Sequence, residues 1–159
     1  MFLSRVGTRT SASLQVIRRG YAAATGNEMA FTFAAPYQVY YNKANIKQVD
    51  VPSFSGAFGI LPNHVPTLAV LKPGVLSVTE GDSSIKKFFV SSGSITVNED
   101  SSVQILAEEA VPLDMIDASA AQQELTAAQQ ELSRATGDKE KASAQIAVEV
   151  AEALVAATK

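Results

Sequence analysis

At 159 residues, 47% hydrophobic and 18% charged, the chain has the composition of one or two small folded domains, which excludes a disordered polymer. No run approaches the roughly 18 uninterrupted apolar residues of a membrane-crossing helix, and the absence of cysteine excludes disulfides and thiolate metal sites. The net charge of −3 hides an asymmetry: Arg5, Arg9, Arg18 and Arg19 precede the first acidic residue, Glu28, and the rest carries nine basic against sixteen acidic residues. So acidic a remainder repels nucleic acid, and no nucleic-acid partner is expected.

Residues 1–21 are rich in Arg, Ser and Thr and free of acid, with Phe2, Leu3, Val6, Leu14, Val16 and Ile17 available for one apolar helical face. This is the composition of a mitochondrial transit peptide. A secretory signal would follow its apolar block with small residues, whereas Arg18 and Arg19 come directly after the longest apolar cluster. The run Arg19, Gly20, Tyr21, Ala22 resembles the preferred site of the matrix processing protease and predicts cleavage between Tyr21 and Ala22. The alternative is a basic tail that stays attached.

From Met29 onward short alternating runs are punctuated by turn residues, at 29–33, 38–41, 46–51, 74–79, 85–90, 94–97 and 103–107. Roughly eight strands over residues 22–112 predict an all-β sandwich or flattened barrel, with Glu80, Gly81 and Asp82 making a hairpin turn. After Pro112 the composition shifts to Ala, Gln, Glu and Lys with a single glycine, Gly137, so residues 113–159 are expected to form an antiparallel α-helical hairpin. Asp117 caps the first helix, of about 27 Å, whose seam runs through Ala118, Ala121, Leu125, Ala128, Leu132 and Ala135. Gly137 stops it, Asp138 caps the second helix, and Ala142, Ile146, Val150, Ala153 and Ala157 form a second seam.

Residues suited to catalysis are few. The one histidine, His64, lies in a loop bracketed by Pro62 and Pro66, yet neither a nucleophile nor a set of metal ligands is spaced to converge on it. Loop closure or a partner contact is the expected role. Glu108 and Glu109, read as neighbours on a strand, point to opposite faces and cannot share a substrate. Gly56 and Gly59 lack the Lys and Ser/Thr of a phosphate loop. Arg134 reads as a helix-end charge. No catalytic residue, cofactor, metal or small-molecule substrate is expected.

The segment 56–74, GAFGILPNHVPTLAVLKPG, resembles the signature of the small rotor subunit of F-type ATP synthases, called delta in mitochondria and epsilon in bacteria. Lys87, Phe88, Phe89, Val90, Ser91, Ser92 and Gly93 resemble the same family's central strand and turn, and the basic presequence points to the mitochondrial branch. The resemblance spans about residues 30–159. It implies a noncatalytic central-stalk role on the matrix side of the inner mitochondrial membrane. There the sandwich would grip the gamma subunit and its glycine-proline end would rest on the polar loops of the c-ring. The small mitochondrial epsilon subunit is a further implied partner. The contact residues implied on the c-ring side are Gly56, Ala57, Gly59, Asn63, His64 and Val65, although many bacterial members carry an acidic or polar residue where Ala57 stands. Some bacterial relatives bind ATP through Ile/Leu-Asp-x-x-Arg-Ala. Here that stretch reads Ile116, Asp117, Ala118, Ser119, Ala120, Ala121, without the arginine, so ATP sensing is only the alternative function.

Overall fold

The computed structural model describes residues 29–158. The transit-peptide reading, with its cleavage between Tyr21 and Ala22, lies outside the described residues. Nine strands are described: β1 (Met29–Ala35), β2 (Gln38–Ser53), β3 (Gly56–Ile60), β4 (Thr67–Leu71), β5 (Gly74–Glu80), β6 (Ile85–Val90), β7 (Gly93–Val97), β8 (Val103–Ala107) and β9 (Ala110–Pro112). A 3-10 turn, Leu113–Met115, leads into helices α1 (Ala118–Arg134) and α2 (Asp138–Ala157). The fold is a β-sandwich followed by an antiparallel helical hairpin.

Strand β2 belongs to both layers of the sandwich. Its first half pairs with β1, and the second half pairs with β5 on one edge and β3 on the other. Two sequence runs expected as separate strands, 38–41 and 46–51, are therefore one 16-residue strand. The apparent break between them is a bulge: between the pairs Phe31↔Ala44 and Phe33↔Tyr41 two residues of β2, Asn42 and Lys43, oppose the single Thr32 of β1, with Lys43 at φ 50°. An extra residue bends and twists a strand without ending it, and β2 pairs with β1 on both sides of the bulge. The loop closes through β1, β8, β7 and β4 back to β2 at Ser53↔Leu71, which gives the flattened-barrel character.

Phe31, Phe33, Ile46, Ile60, Leu71, Leu76, Ile95 and Ile105 fill the interior. Each contributes about 1.5–3 kcal/mol on burial. Phe88 meets Phe33 edge-on at 5.3 Å, and Tyr40 stacks on Phe33 at 5.0 Å. The Tyr40 and Tyr37 hydroxyls both donate to the Ala110 carbonyl, tying β9 to the start of β2.

Residues 56–60 and 67–71 are not among the expected strands, yet Gly56–Ile60 and Thr67–Leu71 form β3 and β4. Glycine and alternate small residues hid the apolar pattern there. Glu108 and Glu109 sit in the bend between β8 and β9 rather than on a strand, and Glu108 accepts from Ser92 Oγ at 2.8 Å.

In the hairpin, Asp117 caps α1 as expected, accepting from Ser119 N at 2.7 Å. Helix α1 ends at Arg134, and Gly137 is the N-cap of α2, with Asp138 its first residue rather than its cap. Glu140 supplies the missing acceptor by taking the Gly137 N–H at 3.3 Å. The α1 seam holds at Ala121, Leu125, Ala128, Leu132 and Ala135, although Ala118 is exposed. The second seam holds only in part: Val150, Ala153 and Ala157 are half-buried, whereas Ala142 and Ile146 are exposed and Ala144 and Ala151 are the buried positions instead. Helix α2 carries two apolar stripes, so periodicity alone could not say which one faces α1.

Among the described residues of the hairpin only alanines are fully buried, at positions 121, 128, 144 and 151, so it holds together through less apolar area than the aromatic sandwich. Hydrogen exchange on the isolated chain is expected to show amides 118–157 opening before those of β5–β8. Equal protection in both parts would contradict this.

Candidate interaction surfaces

The turn from β2 into β3 is built on Ser53, the one buried polar residue among the described residues. Its hydroxyl donates to Gly56 O at 2.8 Å and accepts from Ser55 N at 3.2 Å, and Gly56 takes φ +118° beyond the two turn residues. At the far end of β3 the loop turns at Asn63, φ 64°, with His64 N donating to Leu61 O at 3.1 Å. Asparagine tolerates this left-handed conformation. The imidazole Nδ1 donates to Val65 O at 2.8 Å, fixing the tautomer, and the ring lies 6.4 Å from that of Phe58.

Of the residues expected at this end, Gly56, Ala57 and His64 line one shallow groove of about 300 Å³ between β3 and β4, floored by Phe58 and Ala69. Gly59, Asn63 and Val65 do not line it. Gly59 faces another way, toward Gln48 and Asp50. Ser55 and Thr67 also line the groove, but the Ser55 hydroxyl bonds to Ser53 Oγ at 2.8 Å and the Thr67 hydroxyl donates to Val65 O at 2.9 Å, so neither is paired with His64. Among the described residues no cluster of His, Asp and Glu could hold a metal, and no helix is long and apolar enough to cross a membrane.

Titratable groups gather instead around Glu80, which accepts from Tyr41 Oη at 2.8 Å and pairs with Lys86 Nζ at 2.8 Å. Lys86, and then Tyr41, hold the Glu80 carboxyl below its usual range. Burial, then Glu80, raises the Tyr41 phenol. A depressed carboxyl contributes stability near neutral pH that is lost as pH falls through its folded value. This cluster pins β2 to the β5–β6 turn. Hydrogen bonds from Ser84 and Ser102 lower Asp82 and Asp100 in the two exposed turns.

A second surface went unseen in the sequence. The pairs Val70↔Ser94, Ser94↔Leu106, Leu106↔Ala34 and Ala34↔Val39 make one row across β4, β7, β8, β1 and β2. In that row Val70, Leu106 and Val39 stand 58%, 59% and 61% exposed. Phe54 and Leu68, also exposed, extend the apolar surface beside Val70. The one available signal was β4 itself, TLAVL, where both faces of a strand are apolar.

A wider crevice of about 820 Å³ separates β6 from the hairpin, lined by Lys86, Lys87, Phe88, Ile116 and Ala157 among others. Asp117, part of the stretch resembling the ATP motif, is engaged in capping α1.

The family profile described as "ATP synthase, Delta/Epsilon chain, beta-sandwich domain" matches residues 28–113. The chain is 49% identical over 148 residues to ATP synthase subunit delta, mitochondrial, of Caenorhabditis elegans, covering 89% of this chain and 90% of that one. It is 43% identical to the Kluyveromyces lactis protein of the same name, covering 94% and 92%. Its fold matches a chain in the cryo-EM structure of the Euglena gracilis mitochondrial ATP synthase (OSCP/F1/c-ring, rotational state 1). That match has TM-score 0.77 and 23% identity, over 100% of this chain and 97% of that one.

Proposed function

Since the chain belongs to the ATP synthase delta/epsilon family, we propose that it is a noncatalytic central-stalk subunit of the mitochondrial ATP synthase that couples rotation of the c-ring to the gamma subunit. The observation that carries this reading is the outward apolar row of Val39, Leu106 and Val70. Exposed apolar side chains gathered on one face of a folded domain mark a protein contact, and this face, interrupted only by Ser94 and Ala34, suits the gamma subunit. The β3–β4 end, with Gly56, Ala57, Gly59, Asn63, His64 and Val65, serves the c-ring, so the chain meets the membrane only through that ring. The small mitochondrial epsilon subunit is a further partner. Residues 22–112 and 113–159 act as grip and accessory hairpin on the matrix side of the inner membrane. The direct test is co-purification: the tagged chain should bring down gamma and the c-ring together, and recovery of neither would defeat the reading.

Residues 1–21 act as the import signal. Protein isolated from mitochondria should begin at Ala22, and N-terminal sequencing that returned Met1 would refute import by cleavage at this site.

Gly59→Val tests the coupling role. A Cβ at Gly59 would stand 2.7 Å from Asp50 Oδ1 and 3.4 Å from Gln48 Nε2, both the ends of flexible side chains. The chain therefore keeps its fold, with thermal unfolding shifted by no more than about 1 kcal/mol. Membranes carrying the variant should retain ATP hydrolysis while losing most proton pumping. Tight coupling in the variant would remove this end from the force path.

A further inference from the structure

Strand β3 uses only one of its edges. The Pro52 carbonyl accepts from Lys72 N at 3.2 Å, and so points away from β3. That makes Pro52↔Ala57 a pair without mutual hydrogen bonds, and by alternation Asp50↔Gly59 is another. The N–H and C=O groups of Ala57 and Gly59 therefore point outward from the sheet. Among the described residues no strand pairs on that side of β3 and no backbone or side-chain group bonds these four. Both residues are exposed. Edges meant to stay free are guarded by lysine, proline or a bulge. This one carries alanine and glycine, in unbroken register over five residue pairs.

The same glycine exposes a charge. Gln48 Nε2 donates to Asp50 Oδ1 at 2.7 Å, and the position a Gly59 Cβ would take lies 2.7 Å from that oxygen. A residue on an added strand opposite Gly59 would sit two strand spacings from β2, roughly 9–10 Å. A lysine or arginine stem spans that gap when no side chain intervenes.

We propose that the outer edge of β3 takes an extended segment of a partner polypeptide as an added strand, main chain paired to Ala57 and Gly59, with a long cationic side chain laid across Gly59 onto Asp50. The inference rests on the coupling reading for where the partner comes from. It adds the mode of contact and the chemistry of the segment: backbone pairing supplies affinity, and Asp50 selects a basic residue. It also gives Ala57 a role that its small side chain alone does not suggest.

The test uses the intact synthase in membranes, reading protons pumped per ATP hydrolysed. Ala57→Pro deletes only the outward N–H, since the pyrrolidine ring enters solvent and the ladder to β2 makes no use of that group. Ala57→Ser keeps the N–H at similar bulk. Ala57→Pro is expected to lower the pumping ratio roughly threefold or more, Ala57→Ser to leave it unchanged, and Asp50→Asn to lower it by a similar factor. Thermal unfolding of the isolated chain is the control. If Ala57→Pro fails to fold, N-methylation of the Ala57 amide by semisynthesis removes the same donor without the ring. Ala57→Pro or the N-methylated chain behaving like Ala57→Ser would overturn the added strand. His64→Ala and Asn63→Ala separate the two ideas: a pumping defect there beside normal Ala57→Pro overturns strand addition and leaves the coupling reading standing. Normal pumping in all of them sinks both.

Discussion

Gly93→Ala is expected to unfold the sandwich, or to lower its melting temperature by more than about 10 °C. Gly93 takes φ +154°, and a Cβ there would stand 2.2 Å from Leu106 O and 2.8 Å from Ala107 Cα. Both atoms are backbone of β8, the strand to which Gly93 pairs at Ala107, while Leu71 of β4 flanks it on the other side. No side chain can rotate away. Relief requires β7 to separate from β8 inside a ring of strands that closes on itself, so several ladder bonds would be lost together. Backbone strain alone costs about 1–3 kcal/mol, and disruption of the ladder raises the total to about 3 kcal/mol or more. For a domain of this size about 1 kcal/mol shifts melting by roughly 4–8 °C. Gly56→Ala is the informative contrast, because Gly56 also has a positive φ, +118°, but nothing lies within 4 Å of its Cβ position. It should cost only the strain. Thermal unfolding of both variants, followed by circular dichroism, measures the difference. Gly93→Ala melting within 2–3 °C of the parent chain would mean that the β7–β8 contact is looser than its geometry requires.

The second large effect is expected on assembly, with little effect on stability. Val70 and Leu106 are more than half exposed in the outward row, so Val70→Lys with Leu106→Glu should change the melting temperature of the isolated chain by only a few degrees. If the row is the gamma contact, two charges would be buried without partners at its centre. Hot-spot positions are each worth about 2 kcal/mol or more, and about 1.4 kcal/mol is tenfold in affinity, so recovery of gamma with the tagged chain should fall at least about 100-fold. Undiminished co-purification would place gamma elsewhere. The double variant and Gly59→Val should also differ in kind, since one prevents assembly and the other leaves an assembled but uncoupled enzyme.

Local chemistry was legible in the sequence where residues act within a few positions of one another. Alternating apolar runs marked most strands, because a strand half-buried on one face needs a period of two. The shift to Ala, Gln, Glu and Lys marked the helices, and Asp117 was readable as a cap because its acceptor reaches an N–H only two residues on. The motif from Gly56 to Gly74 pointed to the family for the same reason: its glycines and prolines are read in order along the chain.

What required the tertiary structure was every property that depends on which strand lies beside which. The run from Gln38 to Ser53 looked like two strands because a bulge interrupts its pattern, and only its pairing with β1, β3 and β5 makes it one. Glu140, not Asp138, satisfies the start of α2, and the seam facing α1 runs through Ala144 and Ala151 rather than Ile146. Two apolar stripes on one helix are equivalent until a neighbour covers one of them. The outward row of Val39, Leu106 and Val70 joins residues from three distant stretches through strand register, and the free edge at Ala57 and Gly59 exists only because no described strand follows β3 in the sheet. The sequence alone determined most of the elements, through short-range hydrogen bonding and periodic burial, but not β3, β4 or the unity of β2. Which side chains and main-chain groups remain open to a partner was decided by packing, since exposure is a property of the neighbours.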